Sequence, residues 1–418
     1  MFAVKEKVPQ PEFGSAAPRL ARSRKFKFYL RLDQTLAGFD FAQKVRALCA
    51  PAYDPSGVGQ PGIDPVVYLK MLMVGFFENL PSERAIAEAC ADSLAARAFL
   101  DVGLRENPPE HSSFTRIRQR LGPEIYQQIF TLILAALQAH GLVGGKHLGV
   151  DSSIMEANAS LRALVHRNTE EAYWEFVKRL AGERGIDPED GAAVRRFDRK
   201  RSKKTSNAEW YNPHDPDAKI GPKKDGATDM LYKPEVVADL ETGALVAAEV
   251  LPGDQADHQD VATRLLEAQQ TLNAARGAPP DTLTLQTATA DKGYYAVSEL
   301  QNLQREEIKT VLADPVLRRR LDRLGPAERD AVLAARRSAK SPRGKKLLRR
   351  RGMHLERPFA HILDCGGMRR ATLRGLENLN KRFKLSGAFY NLSHLMRHLF
   401  GIGTPKQWEA MMPAPALN

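Results

Sequence analysis

Apolar and polar positions recur along this chain with two different periods, and the change falls near His147. From Asp64, "DPVVYLKMLMVGFFENL" sets an acid before a proline at a first-turn position and follows it with apolar residues at mixed three and four spacing. That pattern predicts a buried helix. "PSERAIAEACADSLAARAFL" repeats it. "NPPEHSSFTRIRQRLG" then offers a proline break, a serine cap, a short helix and a glycine stop. In that short helix Phe114, Ile117 and Leu121 share one face, while Arg116, Gln119 and Arg120 share the other. A DNA-reading helix needs this arrangement, and a solvated basic face on a bundle helix has the same pattern.

Beyond His147 the period shortens to that of strands: "KHLGVD", "MLYKPEVVADL" and "GALVAAEVL", the last two joined by a hairpin-like "ETG". A helix is expected from about Asp257 to Ala275, then a strand in "DTLTLQTATAD", a helix from about Ser298, a strand "IKTVLAD" ending at Asp314, and helices again from about His354. Three strands, a helix, a strand, a helix and a strand predict a mixed α/β fold with a ribonuclease-H-like sheet. A plain doubly wound sheet does not open with three consecutive strands. The expected divisions are a basic arm over 1–35, a helical domain over 36–145, a sheet domain over 146–405 and a tail over 406–418. Two polar, basic excursions interrupt the sheet domain, at 161–228 and 315–352. The second carries fourteen Arg or Lys against three Asp or Glu; its "LRRRLDRLGPAERDAVLAARRSAK" is helical in pattern, and its "SPRGKKLLRRRG" reads as an open basic run.

Composition narrows the partners. A chain of 418 residues that is 43% hydrophobic can bury a sizeable core, and a net charge of +12 favours polyanions. No uninterrupted apolar run is long enough to span a bilayer, so nucleic acid is favoured over membrane. The start, "MFAVKEKVPQPEFGSAAP", lacks the apolar core of a secretory signal, so the chain reads as cytoplasmic. Cys49, Cys90 and Cys365 are too few and too scattered for a disulfide framework or a thiolate metal cluster.

The candidate chemistry lies in the acids at the strand ends. Asp151 terminates the first strand and Asp291 the fourth, and in this sheet order those strands are neighbours. Like charges brought together call for a divalent cation, which offsets the repulsion. A third acid is expected from the helix that packs back over the sheet, where "RGMHLERPFAHILDCGG" offers Glu356. Oxygen-only ligation suits Mg²⁺ or Mn²⁺, and two such ions promote in-line displacement at phosphorus. Arg349, Arg350, Arg351 and Arg357, with Lys292 beside Asp291, are the candidates for phosphate contact near those acids. "GDQADHQD", with Asp254, Asp257 and His258, reads as a turn with a helix cap rather than a metal cluster. His394 and His398 read as an exposed neutral pair rather than a zinc site.

At these residues a resemblance emerges. "LGVDSSIMEANAS", "TADKGYYA" and "LERPFAH" followed by "GGMRRATLRGLENLNKR" resemble the three acidic signatures of bacterial insertion-sequence transposases of the DDE class, in the insertion-sequence-four/five-like superfamily. The segments from "PVVYLKMLMVGFF" to "HSSFTRIRQRLG" are similar to that group's helical N-terminal domain, and the resemblance covers roughly 36–405. It implies a ribonuclease-H-like catalytic core with Asp151, Asp291 and Glu356 as catalytic and metal-binding residues. It also implies two Mg²⁺ ions for which Mn²⁺ substitutes, recognition of terminal inverted repeats, and cutting and joining of double-stranded DNA by a homo-oligomer at the nucleoid. Many relatives carry Lys seven residues after the glutamate and Arg four before it, where this chain has Leu363 and Gly352. Arg351 and Arg357 then cover the phosphate role. Glu377, with Lys384 seven residues on, is the rival acid, and the "ERPFAH" context favours Glu356. The alternatives in activity are an inactive DNA-binding derivative and a nuclease of the same fold.

Overall fold

The computed structural model describes residues 23–54, 62–202, 205–312 and 321–411. The first helix, α1 (Arg24–Ala37), starts at a Ser23 cap and buries Phe28, Tyr29, Leu32 and Leu36. The expected basic arm over 1–35 is therefore corrected from Arg24 onward, because every third or fourth residue there is apolar enough to dock. Helices α2 (Phe41–Cys49), α3 (Pro65–Phe77), α4 (Glu83–Asp92), α5 (Leu94–Leu100), α6 (His111–Arg120) and α7 (Pro123–Ala139) follow. Asp64 caps α3 by accepting from the Val66 amide, with a proline in the first turn as expected. The expected serine cap on α6 does not form: Glu110 holds the cap position without a side-chain bond, and Ser113 is buried inside the helix.

The sheet is built on one long strand, β6 (Thr228–Asp239). Along one edge run β1 (His147–Ser152) and the short β2 (Met155–Glu156), and along the other run β7 (Leu245–Pro252) and β5 (Lys219–Pro222), all antiparallel to it. β8 (Thr287–Ala290) pairs parallel with β1, and β9 (Lys309–Leu312) pairs parallel with β8. The central order is thus β7-β6-β1-β8-β9, a mixed sheet with the three-strand opening expected from the sequence. Gly243, at φ +83°, makes the β6–β7 turn possible. Asp314, the expected end of the last strand, lies outside the described residues.

Between β2 and β5 the first excursion folds locally. A two-stranded ribbon of β3 (Val165–His166) and β4 (Trp210–Tyr211) accompanies helices α8 (Tyr173–Gly182) and α9 (Gly191–Lys200), which share a small core of Val177, Ala181 and Val194. Helices α10 (Val261–Arg276) and α11 (Val297–Arg305) separate the later strands. In the second excursion α12 (Pro326–Lys340) forms within the stretch of helical pattern, and the expected open run is corrected to a helix, α13 (Pro342–Phe359), both packed on the sheet. Ser341 caps α13 by accepting from the Gly344 amide, Pro342 starts it, and Leu347, Leu355 and Phe359 bury its inner face. The chain ends in α14 (Leu376–Phe400) and α15 (Pro405–Met411).

One continuous cluster of buried side chains runs from Phe28 on α1 to Met396 on α14. The joint is α14, which packs on both α7 and β7. Gly387 allows the approach, since an added Cβ there would meet the Ala248 side chain at 2.6 Å. Asn391 exchanges two hydrogen bonds with the Leu245 backbone across the same contact. Among the described residues no helix is long and apolar enough to cross a membrane.

The entry to β1 hangs on Asp239, which is fully buried. Its carboxylate accepts from the amides of Gly144 at 2.6 Å, Gly145 at 3.1 Å and Glu241 at 2.8 Å. Truncation strands three donors, so Asp239→Ala should cost about 3 kcal/mol, read as a lower midpoint in urea unfolding. An unchanged midpoint would mean that the β1 entry is held by other contacts.

Candidate active site

Strand periodicity decides what lies at the C-terminal end of β1. His147, Gly149 and Asp151 share the face covered by α13, while Ser152 looks to the opposite side. Helix α13 packs over β1: Arg343 Nη2 meets His147 Nε2 at 2.8 Å, Leu355 packs over Gly149, and Arg351 Nη1 donates to Asp151 Oδ2 at 2.8 Å. Burial and the neighbouring Arg343 cation push His147 below its ordinary pKa, so its imidazole is neutral and can accept from Arg343.

The parallel register pairs Gly149 with Thr289. Two residues further on, the same register sets Asp151 level with Asp291 on the neighbouring strand end. Burial pushes the Asp151 carboxyl above its ordinary range, Arg351 pulls it back, and the Asp291 charge adds to the rise. Asp151 Oδ1 accepts from the Ser152 amide at 2.9 Å, and Asp291 Oδ1 accepts from the Gly293 amide at 2.8 Å, which turns the chain sharply after β8. Two of the three sequence candidates are therefore brought together. Glu356 is exposed on the last turn of α13; its neighbour Leu355 packs over Gly149, and it is Arg351 that reaches Asp151. Among the described residues no group of three or more His, Cys, Asp or Glu is arranged to hold a metal ion. The rival Glu377 pairs with Lys381 at 2.6 Å on α14.

A residue that reads as a helix cap in the sequence also reaches this edge. The β7–α10 turn brings Asp257 to the strand ends, where its Oδ1 accepts from Ser152 Oγ at 2.8 Å and lies 2.7 Å from Lys233 Nζ. Asp257 caps nothing: α10 starts at Asp260, which itself makes no side-chain cap bond. His258 is exposed. Behind the turn lies a buried carboxylate, Glu235 on β6. Arg264 Nη2 donates to its Oε2 at 3.1 Å, Arg264 Nε lies 2.5 Å from its Oε1 without hydrogen-bond geometry, and Tyr294 Oη donates to Oε2 at 2.9 Å. Burial raises Glu235 above the ordinary carboxylate range despite that cation. The signal that could have found this group is a Lys and a Glu, at 233 and 235, inside an otherwise apolar strand.

The candidate DNA contacts divide into two surfaces. Near the acids, Lys292, Arg349 and Arg357 are exposed, Arg350 is half-buried, and Arg351 is engaged by Asp151. On α6, Arg116, Gln119 and Arg120 are exposed while Phe114, Ile117 and Leu121 are buried. Arg120 stacks over Tyr53 at 4.7 Å, and the intervening Arg118 is a buried structural residue paired with Glu83. Among the described residues His394 and His398 join no metal-binding group; burial lowers the His394 pKa, and the ring of His398 lies 6.3 Å from that of His140.

Residues 20–120 match the family described as Transposase domain (DUF772). No curated protein and no solved structure matches the chain significantly.

Proposed function

We propose that the chain is a DDE-class transposase with a ribonuclease-H-like core, which binds the terminal inverted repeats of an insertion sequence as a homo-oligomer on DNA and catalyses divalent-metal-dependent strand cleavage and transfer. The observation that carries this is the parallel pairing of β1 with β8, whose register, continued two residues past the Gly149–Thr289 pair, sets Asp151 level with Asp291. The strand order and the matched N-terminal segment support it. The donors fit Mg²⁺ in kind, being carboxylate oxygens, and Asp151 and Asp291 would hold the ion, with Glu356 as third ligand. In number they fall short here, because the Arg351 guanidinium stands on an Asp151 oxygen and Glu356 faces solvent. When bound, such ions supply activation of the attacking oxygen and charge stabilisation at the leaving one. The chain's own cations, Lys292, Arg349, Arg350 and Arg357, draw the phosphodiester to that edge, and α6 reads the element ends. An inactive DNA-binding derivative is the reading that the Arg351–Asp151 pair favours, and the wild-type assay separates the two.

With the flanking DNA ends and Mg²⁺ or Mn²⁺, wild type should cut, while Asp151→Asn and Asp291→Asn should bind DNA and not cut. Full cleavage by either variant, or none by wild type, rejects the proposal. Glu356→Gln should lose both cleavage and Mn²⁺ affinity, and Glu377→Gln should cut normally because its carboxylate is committed to Lys381. The reverse pattern would move the third acid to α14.

Asp151→Asn carries a second readout. The folded-state pKa of Asp151 lies above its unfolded value, so the stability of its protonated form is complete below the unfolded pKa and is lost as pH rises through the folded one. Asparagine has no such loss. The variant should melt above wild type at neutral pH, with the gap closing as pH falls toward the ordinary aspartate range. On α6, Arg116→Ala and Arg120→Ala should weaken binding to the element's ends by roughly 1–3 kcal/mol more than to random DNA. Equal losses on both DNAs would make the helix a backbone clamp.

A further inference from the structure

We infer that Asp257 is a positioning residue of the proposed site, the hub that fixes the two strand-end carboxylates relative to each other; the inference rests on the transposase proposal. Its two oxygens face two different strand ends. Oδ1 takes the hydroxyl hydrogen of Ser152, the residue next to Asp151, at 2.8 Å, and is held by the Lys233 ammonium at 2.7 Å. Oδ2 faces the turn after β8: an added Cβ on Gly293 would meet Asp257 Oδ2 at 2.6 Å and Asp291 Oδ1 at 3.1 Å. Only a residue without a side chain lets both carboxylates close on that point. Asp151 is held in the ladder opposite Val236 of β6, whereas Asp291 leaves the sheet beyond Ala290, the last paired residue of β8, so the ladder does not fix the second carboxylate against the first. A bridge outside the ladder has to do so.

The bridge is itself anchored. Arg264 donates to the Asp257 carbonyl at 3.1 Å and to the Gln259 carbonyl at 2.5 Å while its Nη2 also holds Glu235. Tyr294 holds the same Glu235 from the turn that carries Asp291. Lys233 Nζ donates to the Gln255 carbonyl, closing the turn from its other side. The turn bearing Asp257 and the turn bearing Asp291 are therefore clamped to one buried carboxylate. This explains an acid that neither caps α10 nor gathers metal-binding companions. Ser152 gains a role as well, because its hydroxyl transmits the constraint from Asp257 to the residue beside Asp151.

The test is a set of four variants assayed for cleavage of the flanking ends with Mn²⁺, for DNA affinity by anisotropy and for folding by thermal melting. Asp257→Ala should slow cleavage about ten- to a hundredfold, the loss expected when a reacting group is displaced by an ångström, with DNA affinity unchanged. Asp257→Asn keeps an oxygen for the Ser152 hydroxyl and should recover most of the rate. Ser152→Ala should slow cleavage, and Ser152→Ala with Asp257→Ala should be no slower than Asp257→Ala alone, because both remove one bridge. Wild-type rates in Asp257→Ala or Ser152→Ala, or additive losses in the double variant, overturn the inference. If Asp257→Ala fails to melt cooperatively, a slow Ser152→Ala beside a near-normal Asp257→Asn upholds it, and a normal Ser152→Ala overturns it. Asp151→Asn in parallel keeps the failures apart: a fast Asp257→Ala beside a dead Asp151→Asn removes only the hub, whereas a wild type that cuts nothing removes the transposase proposal.

Discussion

A charge in the middle of a sheet governs the arrangement of everything at its edge. Glu235 lies on β6 opposite Ser152 of β1 and opposite Glu249 of β7, with only 3% of its surface exposed. Taking a carboxylate out of water costs several kcal/mol, and a buried pair repays this only when its geometry is good and the remaining lone pairs are met. Arg264 and Tyr294 meet them here, and each comes from a segment that carries an acid of the site. Breaking such a pair costs about 3–5 kcal/mol, although an apolar replacement of the whole set is often neutral. Its value is geometric: two turns with no ladder hydrogen bonds of their own are tied to one atom group in the rigid part of the sheet.

The other determinant is the packing of α13 on β1. Gly149 has no side chain, and an added Cβ there would meet Leu240 at 2.6 Å and Leu355 at 3.2 Å, so the helix can settle close to the strand. With the helix so near, its long cations reach the strand's polar residues at two rungs, Arg343 to His147 and Arg351 to Asp151. The packing of Leu355 and the two charge contacts together fix both the height and the rotation of the helix. Its rotation turns Leu347, Leu355 and Phe359 inward, and that leaves Lys345, Lys346 and Arg349 in solvent as a basic face.

Strands β1, β6 and β7 and the turn at Gly243 were legible because alternation and an apolar run are local signals. The α3 helix was legible because its cap, its proline and its buried positions agree. Asp151 and Asp291 were legible as strand ends, and the strand order made them neighbours. Helix α13 was not legible over its basic half. Proline, two glycines and a run of cations read locally as open chain, and the helix exists because Ser341 and Pro342 start it and the sheet buries its few apolar residues. The same override turned part of the expected arm into α1. Asp257 was illegible for a different reason: its partners Ser152, Lys233 and Gly293 are distant in sequence, and an isolated acid in a turn ordinarily caps a helix. Glu235 carried a signal, a charge inside an apolar strand, whose meaning depends on an arginine and a tyrosine supplied by later elements.

Arg351 shows how one side chain can satisfy the fold and the chemistry in turn but not together. Sequence spacing points it at phosphate, while the structure commits it to Asp151. An ion pair at 2.8 Å between side chains about one-fifth exposed is screened less than a surface pair, and it offsets part of the penalty that burial and Asp291 impose on that carboxylate. Under the proposed function, a divalent cation at Asp151 Oδ2 would compete with the Arg351 guanidinium for that oxygen. A phosphodiester bound at the basic face, as the proposed function requires, would change the balance by offering Arg351 an anion in exchange for Asp151. As the chain stands, Asp151 is neutralised from within by Arg351, and under the proposed function the release of that carboxylate and the capture of phosphate would be opposite ends of one exchange.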